Sequence, residues 1–166
     1  MCRMRLLFQT ALLLALSSSL IGCIGDDEAI IFVEPSVASP HATIASSVLG
    51  STVTGSFQLR LVLGPRASDS STVTIGSVNI TDAENKTPVL SGLSLTSSPP
   101  FPLNVAPSTD VNVDVAFDMG DKTVSTQAAD ALCNVPGVRI AGTINDSLQQ
   151  TATPFVSAVF PVMSCL

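Results

Sequence analysis

Few side chains in this sequence could do chemistry, and their spacing decides what chemistry is open to them. The single histidine, His41, sits in the Pro/Ser-rich stretch "SPHAT". A Ser-His-Asp triad would have to use it, and nothing around it marks a general base, so it reads as a solvated loop histidine. Zinc asks for about four nitrogen or sulfur ligands, more than one histidine and a bonded cysteine pair can supply. Asp110, Asn112 and Asp114 alternate along "TDVNVDVAFD", and Asp118 and Asp121 follow. Oxygen ligands of this kind could hold calcium, which makes Asp114, Asp118 and Asp121 weak candidates. No EF-hand spacing is present, and a solvated acidic face is the plainer reading. The same carboxylates could form a glycosidase pair. A flat strand face in a chain without Trp or Tyr makes a poor sugar cleft. Asn79, Asn85 and Asn145 begin Asn-x-Ser/Thr triplets, which read as chance matches in a chain rich in Ser and Thr. No glycine-rich phosphate loop follows a strand-like segment. The sequence therefore assigns no catalytic residue, metal or cofactor.

The N-terminal segment carries a sharper signal. Arg3 and Arg5 precede the apolar run "LLFQTALLLAL", which is followed by three serines and then "LIGC". A basic head, a short apolar core and a small-residue stop are the parts of a secretory signal. The core is shorter than the roughly 20 apolar residues of a comfortable membrane span. Leu20, Ile21, Gly22 and Cys23 resemble, in order, the lipobox of bacterial lipoproteins. The resemblance implies a diacylglycerol thioether on Cys23 and cleavage between Gly22 and Cys23. Cys23 would then be the first mature residue, carrying fatty acyl chains such as palmitate. A thiolate is nucleophilic enough to be alkylated, and several acyl chains anchor stably because each buried methylene adds about 0.8 kcal/mol. An ordinary cleaved signal with a chance cysteine and an uncleaved anchor helix are the competing readings. Ile24, rather than aspartate, follows the cysteine. By analogy with lipoprotein sorting, this favours the outer membrane of the cell envelope over the inner one.

Removing residues 1–22 leaves 144 of the 166 residues, with five basic and thirteen acidic side chains, a net charge of −8. That length closes one hydrophobic core. The charge excludes a typical nucleic-acid binder and a protein held on anionic lipid by basic residues.

The mature chain reads as residues 23–50, a tether with a first strand at Ala29–Val33 and a Pro/Ser-broken connection, followed by a β-domain over 51–166. Phe57, Leu59, Leu61 and Leu63 alternate, as do Val111, Val113, Val115 and Phe117; period two with polar residues between is a strand with one wet face. In "TVTIGSVNIT" the phase slips at Gly76-Ser77, the mark of a β-bulge. "PVLSGLSLTSS" is a weaker strand, and "PPFPLNVAPS" is extended by its prolines. A short helix is expected near Thr126–Leu132. "GVRIAGTIND" and "PFVSAVFPVMS" are the last two strands. Seven to eight short strands with turns between them indicate an all-β, antiparallel Ig-like β-sandwich. The pattern over Thr52–Phe117 resembles bacterial Ig-like envelope modules.

Cys133 and Cys165 are left to pair in an oxidising compartment. Their midpoint, residue 149, falls in the turn "SLQQT". A hairpin centred there sets Val138 opposite Phe160, Ile140 opposite Ala158 and Ile144 opposite Pro154, with Phe155 and Val159 pointing to the other side. A disulfide across such a hairpin adds about 3–4 kcal/mol by constraining the unfolded chain. Nothing like C-x-x-C suggests a redox-active pair.

Together these features point to a non-catalytic envelope lipoprotein, anchored in a membrane by lipid and presenting loops or an exposed edge strand to an envelope protein. The alternative is a binding module for a small ligand, calcium or glycan on the same scaffold.

Overall fold

The computed structural model describes residues 31–48, 50–120 and 122–165. Leu20, Ile21, Gly22 and Cys23 lie outside them, as does Asp121.

Ten strands and one helix make up the described fold. Strands β1 (Glu34–Ser47), β2 (Gly50–Leu63), β3 (Ser71–Asp82), β4 (Pro88–Leu90), β5 (Ser94–Ser98), β6 (Leu103–Val105) and β7 (Thr109–Asp118) precede helix α1 (Thr126–Cys133). Strands β8 (Val138–Asp146), β9 (Thr153–Val156) and β10 (Val162–Met163) follow. One sheet has the order β10-β1-β2-β7-β5 and the other β4-β3-β8-β9, with β6 also pairing with β3. With β1, β2, β7 and β5 as strands A, B, E and D, and β3, β8 and β9 as C, F and G, this is the immunoglobulin sandwich order; β4 is an extra strand beside C. All pairings are antiparallel except β1 with β10.

The expected alternations are present. Leu59, Leu61 and Leu63 of β2, and Val113, Val115 and Phe117 of β7, are buried, while Asp110, Asn112, Asp114 and Asp118 face solvent. The β3 register shifts between Ile75 and Val78, as the phase slip at Gly76-Ser77 predicts. The helix also forms where expected: Ser125 Oγ caps it by accepting the Ala128 N–H at 3.2 Å, and Leu132 is its buried anchor.

The core closes through three aromatic rings. Phe57 on β2 lies 6.5 Å from Phe117 and 6.1 Å from Phe155, centroid to centroid. Phe117 stands opposite Gly55, and Phe155 opposite Gly142. A β-carbon at Gly55 would come within 2.3 Å of the Phe117 ring; one at Gly142 would come within 2.5 Å of the Phe155 ring. Each sheet thus gives up a side chain so that a phenylalanine can lie across its own backbone.

Three expectations need correction. First, of the strand expected at Ala29–Val33, residues 29 and 30 lie outside the described ones and residues 31–33 form no strand. Instead "EPSVASPHATIASS" is β1, a fourteen-residue strand paired with β2 across a register shift between Ala38 and His41. The sandwich therefore begins before residue 51. Pro35 is tolerated because no strand pairs with that part of β1 on its outer edge among the described residues, and Pro40 falls inside the bulge. Second, the segment after residue 153 is two strands, β9 and β10, in different sheets. Third, the β8–β9 register differs by one from the predicted hairpin. Val138 does bridge Phe160, but Ile144 pairs with Thr153 and Gly142 with Phe155. A slip of one residue turns a side chain to the opposite face, so Phe155 is buried in the core rather than directed away from it.

Ser157 makes the slip. Its N–H donates to the Ile140 carbonyl at 2.8 Å, but the Ile140 N–H donates to Ser157 Oγ, at 2.9 Å, instead of to a backbone oxygen. The displaced Ser157 carbonyl accepts from Arg139 Nη1 at 2.7 Å, and Arg139 Nε donates to the Ala83 carbonyl at 2.6 Å.

Candidate functional site

The sandwich has two distinct ends. At one lie the start of β1, the end of β2, the starts of β3 and β7 and the end of β8. The other holds the β1–β2 turn, the β3–β4 turn, α1 and the disulfide. The chain enters at the first end, where Asp146 receives it. Asp146 is buried, and its Oδ2 accepts the Val33 N–H at 2.7 Å. Its Oδ1 accepts from Leu148 N at 2.9 Å and from Ser71 Oγ. One carboxylate therefore ties the entering chain to β3 and β8. All of its contacts are with donors of the fold, so it is a structural clasp, and among the described residues no buried side-chain nitrogen or oxygen lacks a partner. Sequence reading missed it: an aspartate ending a strand looks like a turn residue, and its partner at Val33 is 113 positions away.

The structure forms the Cys133–Cys165 disulfide, with a Cα–Cα distance of 5.4 Å. It does not cross a hairpin, however. Cys133 ends α1 and Cys165 follows β10, so the bond fastens the helix to the chain after the last strand.

The proposed ligands do not converge. Asp114 and Asp118 share a strand face, but four residues of extended chain separate them by about 13 Å. Asp114 Oδ1 accepts from Gln58 Nε2 at 3.3 Å, and Asp118 Oδ1 accepts the Gly120 N–H at 2.7 Å. Asp110 pairs with Arg60 at 2.6 Å. Among the described residues no group of three or more His, Cys, Asp or Glu stands close enough to hold a metal. His41 is exposed on β1, just past the bulge, rather than in a loop. Asn79 lies in β3, Asn145 is exposed on β8, and Asn85 is exposed in the β3–β4 turn with a positive φ of 57°.

That turn is closed by the carboxylate of Asp82. The backbone N–H of Lys86 donates to Asp82 Oδ1 at 2.8 Å and that of Thr87 to Oδ2 at 3.2 Å. The Lys86 bond chiefly, with help from Thr87, holds the Asp82 pKa below its ordinary value against a slight desolvation. This is the electrostatics of a tight turn.

What remains is surface. A groove of about 410 Å³ runs between the β1–β2 turn and α1, lined by Ile44, Ser47, Val124, Ala129 and Asp130 among others. A cleft of about 380 Å³ opens along β5, where Ile75, Leu95, Phe101 and Val115 form its apolar wall. No helix of the described residues is long and apolar enough to cross a membrane. Fold and surface together define a class, an Ig-like β-sandwich. No protein-family model, curated protein or solved structure matches the chain.

Proposed function

We propose that the protein is a non-catalytic lipoprotein of the bacterial cell envelope, tethered through Cys23, whose sandwich binds another envelope protein. The observation that supports this most is the spacing between the lipobox-like motif and the first core residue described. Val33 is the first core residue among those described, and the lipobox-like "LIGC" ends ten residues before it. Cleavage before Cys23 would remove none of the sandwich described here. The intervening chain would hold the first end of the sandwich within about 35 Å of a bilayer. The second end and α1 would then point away from the membrane.

The intact mass of the protein extracted from its native membrane tests the tether. The expected mass begins at Cys23, carries acyl chains and rises by two hydrogens on reduction. A Cys23→Ser variant should leave the detergent phase. A lipid-free mass, or a variant that still partitions like the parent, would overturn the reading.

A further inference from the structure

The interaction proposed above leaves open where a partner would sit, and the side of the sandwich at β5 offers a free strand edge beside a cleft. β5 pairs with β7 along one edge only, and among the described residues no strand covers its other edge. Across the cleft, β3 is also bare in its middle. On that edge β6 pairs with Ser71–Val73 and β4 with Ile80 and Thr81, which leaves Thr74–Asn79 uncovered. Between the two sheets here opens the cleft whose apolar wall is Ile75, Leu95, Phe101 and Val115, with Thr96 and Ser97 lining it from β5.

Exposed edges are commonly blunted by Lys, inward-pointing charges or Pro; "SLTSS" itself contains none of them, and its protection is confined to its five-residue length and to Pro99 and Pro100 after it. Leu95 and Ser97 point inward, half-buried, while Ser94, Thr96 and Ser98 face solvent. An added strand would gain main-chain hydrogen bonds along β5 and seat alternate side chains in the cleft, which is how strand addition achieves affinity and specificity.

Charge narrows the occupant. Behind β5, on the outer face, β7 exposes Asp114 beside Ser98 and Asp118 beside Ser94. Neither strand contains a basic residue. Asp114 also lines a shallow depression of about 290 Å³ with Thr96, Ser97 and Ser98. Lys122 Nζ approaches Gly92, close to the Asp118 end of β5, whereas Asp114 has, among the described residues, only the neutral Gln58 amide as a side-chain partner. A strand added to β5 would lie two strand spacings from β7, about 9.5 Å, a span that a long basic side chain bridges.

We propose that an extended segment of an envelope partner adds to the free edge of β5, placing apolar side chains in the cleft and a lysine or arginine opposite Asp114. This rests on the envelope-interaction reading and assigns its site.

Photo-crosslinking in the native membrane tests it, with benzoylphenylalanine replacing in turn Thr96, Glu84 in the β3–β4 turn and Gln150 in the β8–β9 loop of the full chain. The expected result is an adduct at position 96 that maps by mass spectrometry to an alternating apolar/polar segment containing Lys or Arg. Asp114→Lys should lower its yield at least about fivefold, while thermal unfolding stays unchanged because this side chain is exposed. An adduct at 84 or 150 but not at 96 would overturn the β5 site and leave the envelope interaction standing. No adduct at any position would overturn both. An adduct at 96 with a second copy of this chain, or one indifferent to Asp114→Lys, would overturn the proposed occupant.

Discussion

The buried carboxylate of Asp146 accepts the backbone N–H of Val33 at 2.7 Å, so the point where the chain enters the sandwich is fixed by a residue near its far end. Replacing Asp146 with Ala strands the Val33 and Leu148 N–H groups and takes the nearer partner from the Ser71 hydroxyl, which keeps Ser147 Oγ at 3.4 Å, at about 1–3 kcal/mol for each buried group left unsatisfied. The expected loss is about 3 kcal/mol or more in urea unfolding at neutral pH. Asp146→Asn should cost less, because it retains one acceptor. A loss below the uncertainty of the fit would show that Val33 is held by packing alone.

Ser157→Ala removes the only described acceptor of the buried Ile140 N–H. About 2 kcal/mol should be lost, and amide exchange at Ile140 should accelerate more than at Ile144, whose pairing with Thr153 is unaffected. Equal acceleration at both would mean that the whole β8–β9 ladder depends on the hydroxyl.

Gly142→Ala introduces a β-carbon 2.5 Å from the Phe155 ring and 2.7 Å from the Ser77 carbonyl oxygen. The ring can turn, but the backbone oxygen has less freedom. Overpacking of this kind costs about 1–3 kcal/mol, and a midpoint unchanged from the parent would contradict the close approach described here.

Loss of the disulfide in Cys133→Ser/Cys165→Ser should lower stability by about 3–4 kcal/mol through the 32-residue loop it closes. The β-sheet circular dichroism should be retained in the cold, since neither cysteine lies in a strand. A random-coil spectrum at low temperature would mean that the bond is needed for folding itself.

Asp82 sets a pH dependence. Its pKa is lowered in the folded state, chiefly by the backbone N–H of Lys86, so the folded chain favours the ionised carboxylate. The stabilisation is complete above the unfolded value, about pH 4, and is lost as pH falls through the lower folded value. Asp82→Asn should therefore unfold at a lower temperature than the parent at pH 7, and the gap should narrow below pH 4. A gap that stays constant with pH would assign the effect to turn geometry.

Much of the sandwich is legible in the sequence because β2 and β7 each keep one wet and one dry face, and that alternation survives any tertiary context. β1 is hidden for a physical reason. Pro35 and Pro40 look like breakers, yet one sits where no ladder bond is needed on the outer edge and the other sits in a bulge. Phe155 was placed on the wrong face because a hairpin inferred from two cysteines cannot reveal a serine hydroxyl standing in for a carbonyl. The cleft along β5 was out of reach as well: it depends on Ile75 and Leu95 meeting across two sheets, which no local pattern encodes.

The long pairing of β1 with β2 would have a mechanical consequence in a tethered chain. β1 is bonded to β2 along nearly its whole length, and Val162 and Met163 lie beside Ala42 and Thr43 and run in the same direction. A pull on a tether at Cys23 would be directed along β1, so the β1–β2 hydrogen bonds would bear it together in shear rather than opening one after another like a zip. Should the sandwich give way, the disulfide would withhold the 32 residue steps between Cys133 and Cys165, about 110 Å of contour length. An anchored molecule of this design would yield late under load and stretch by only part of its length.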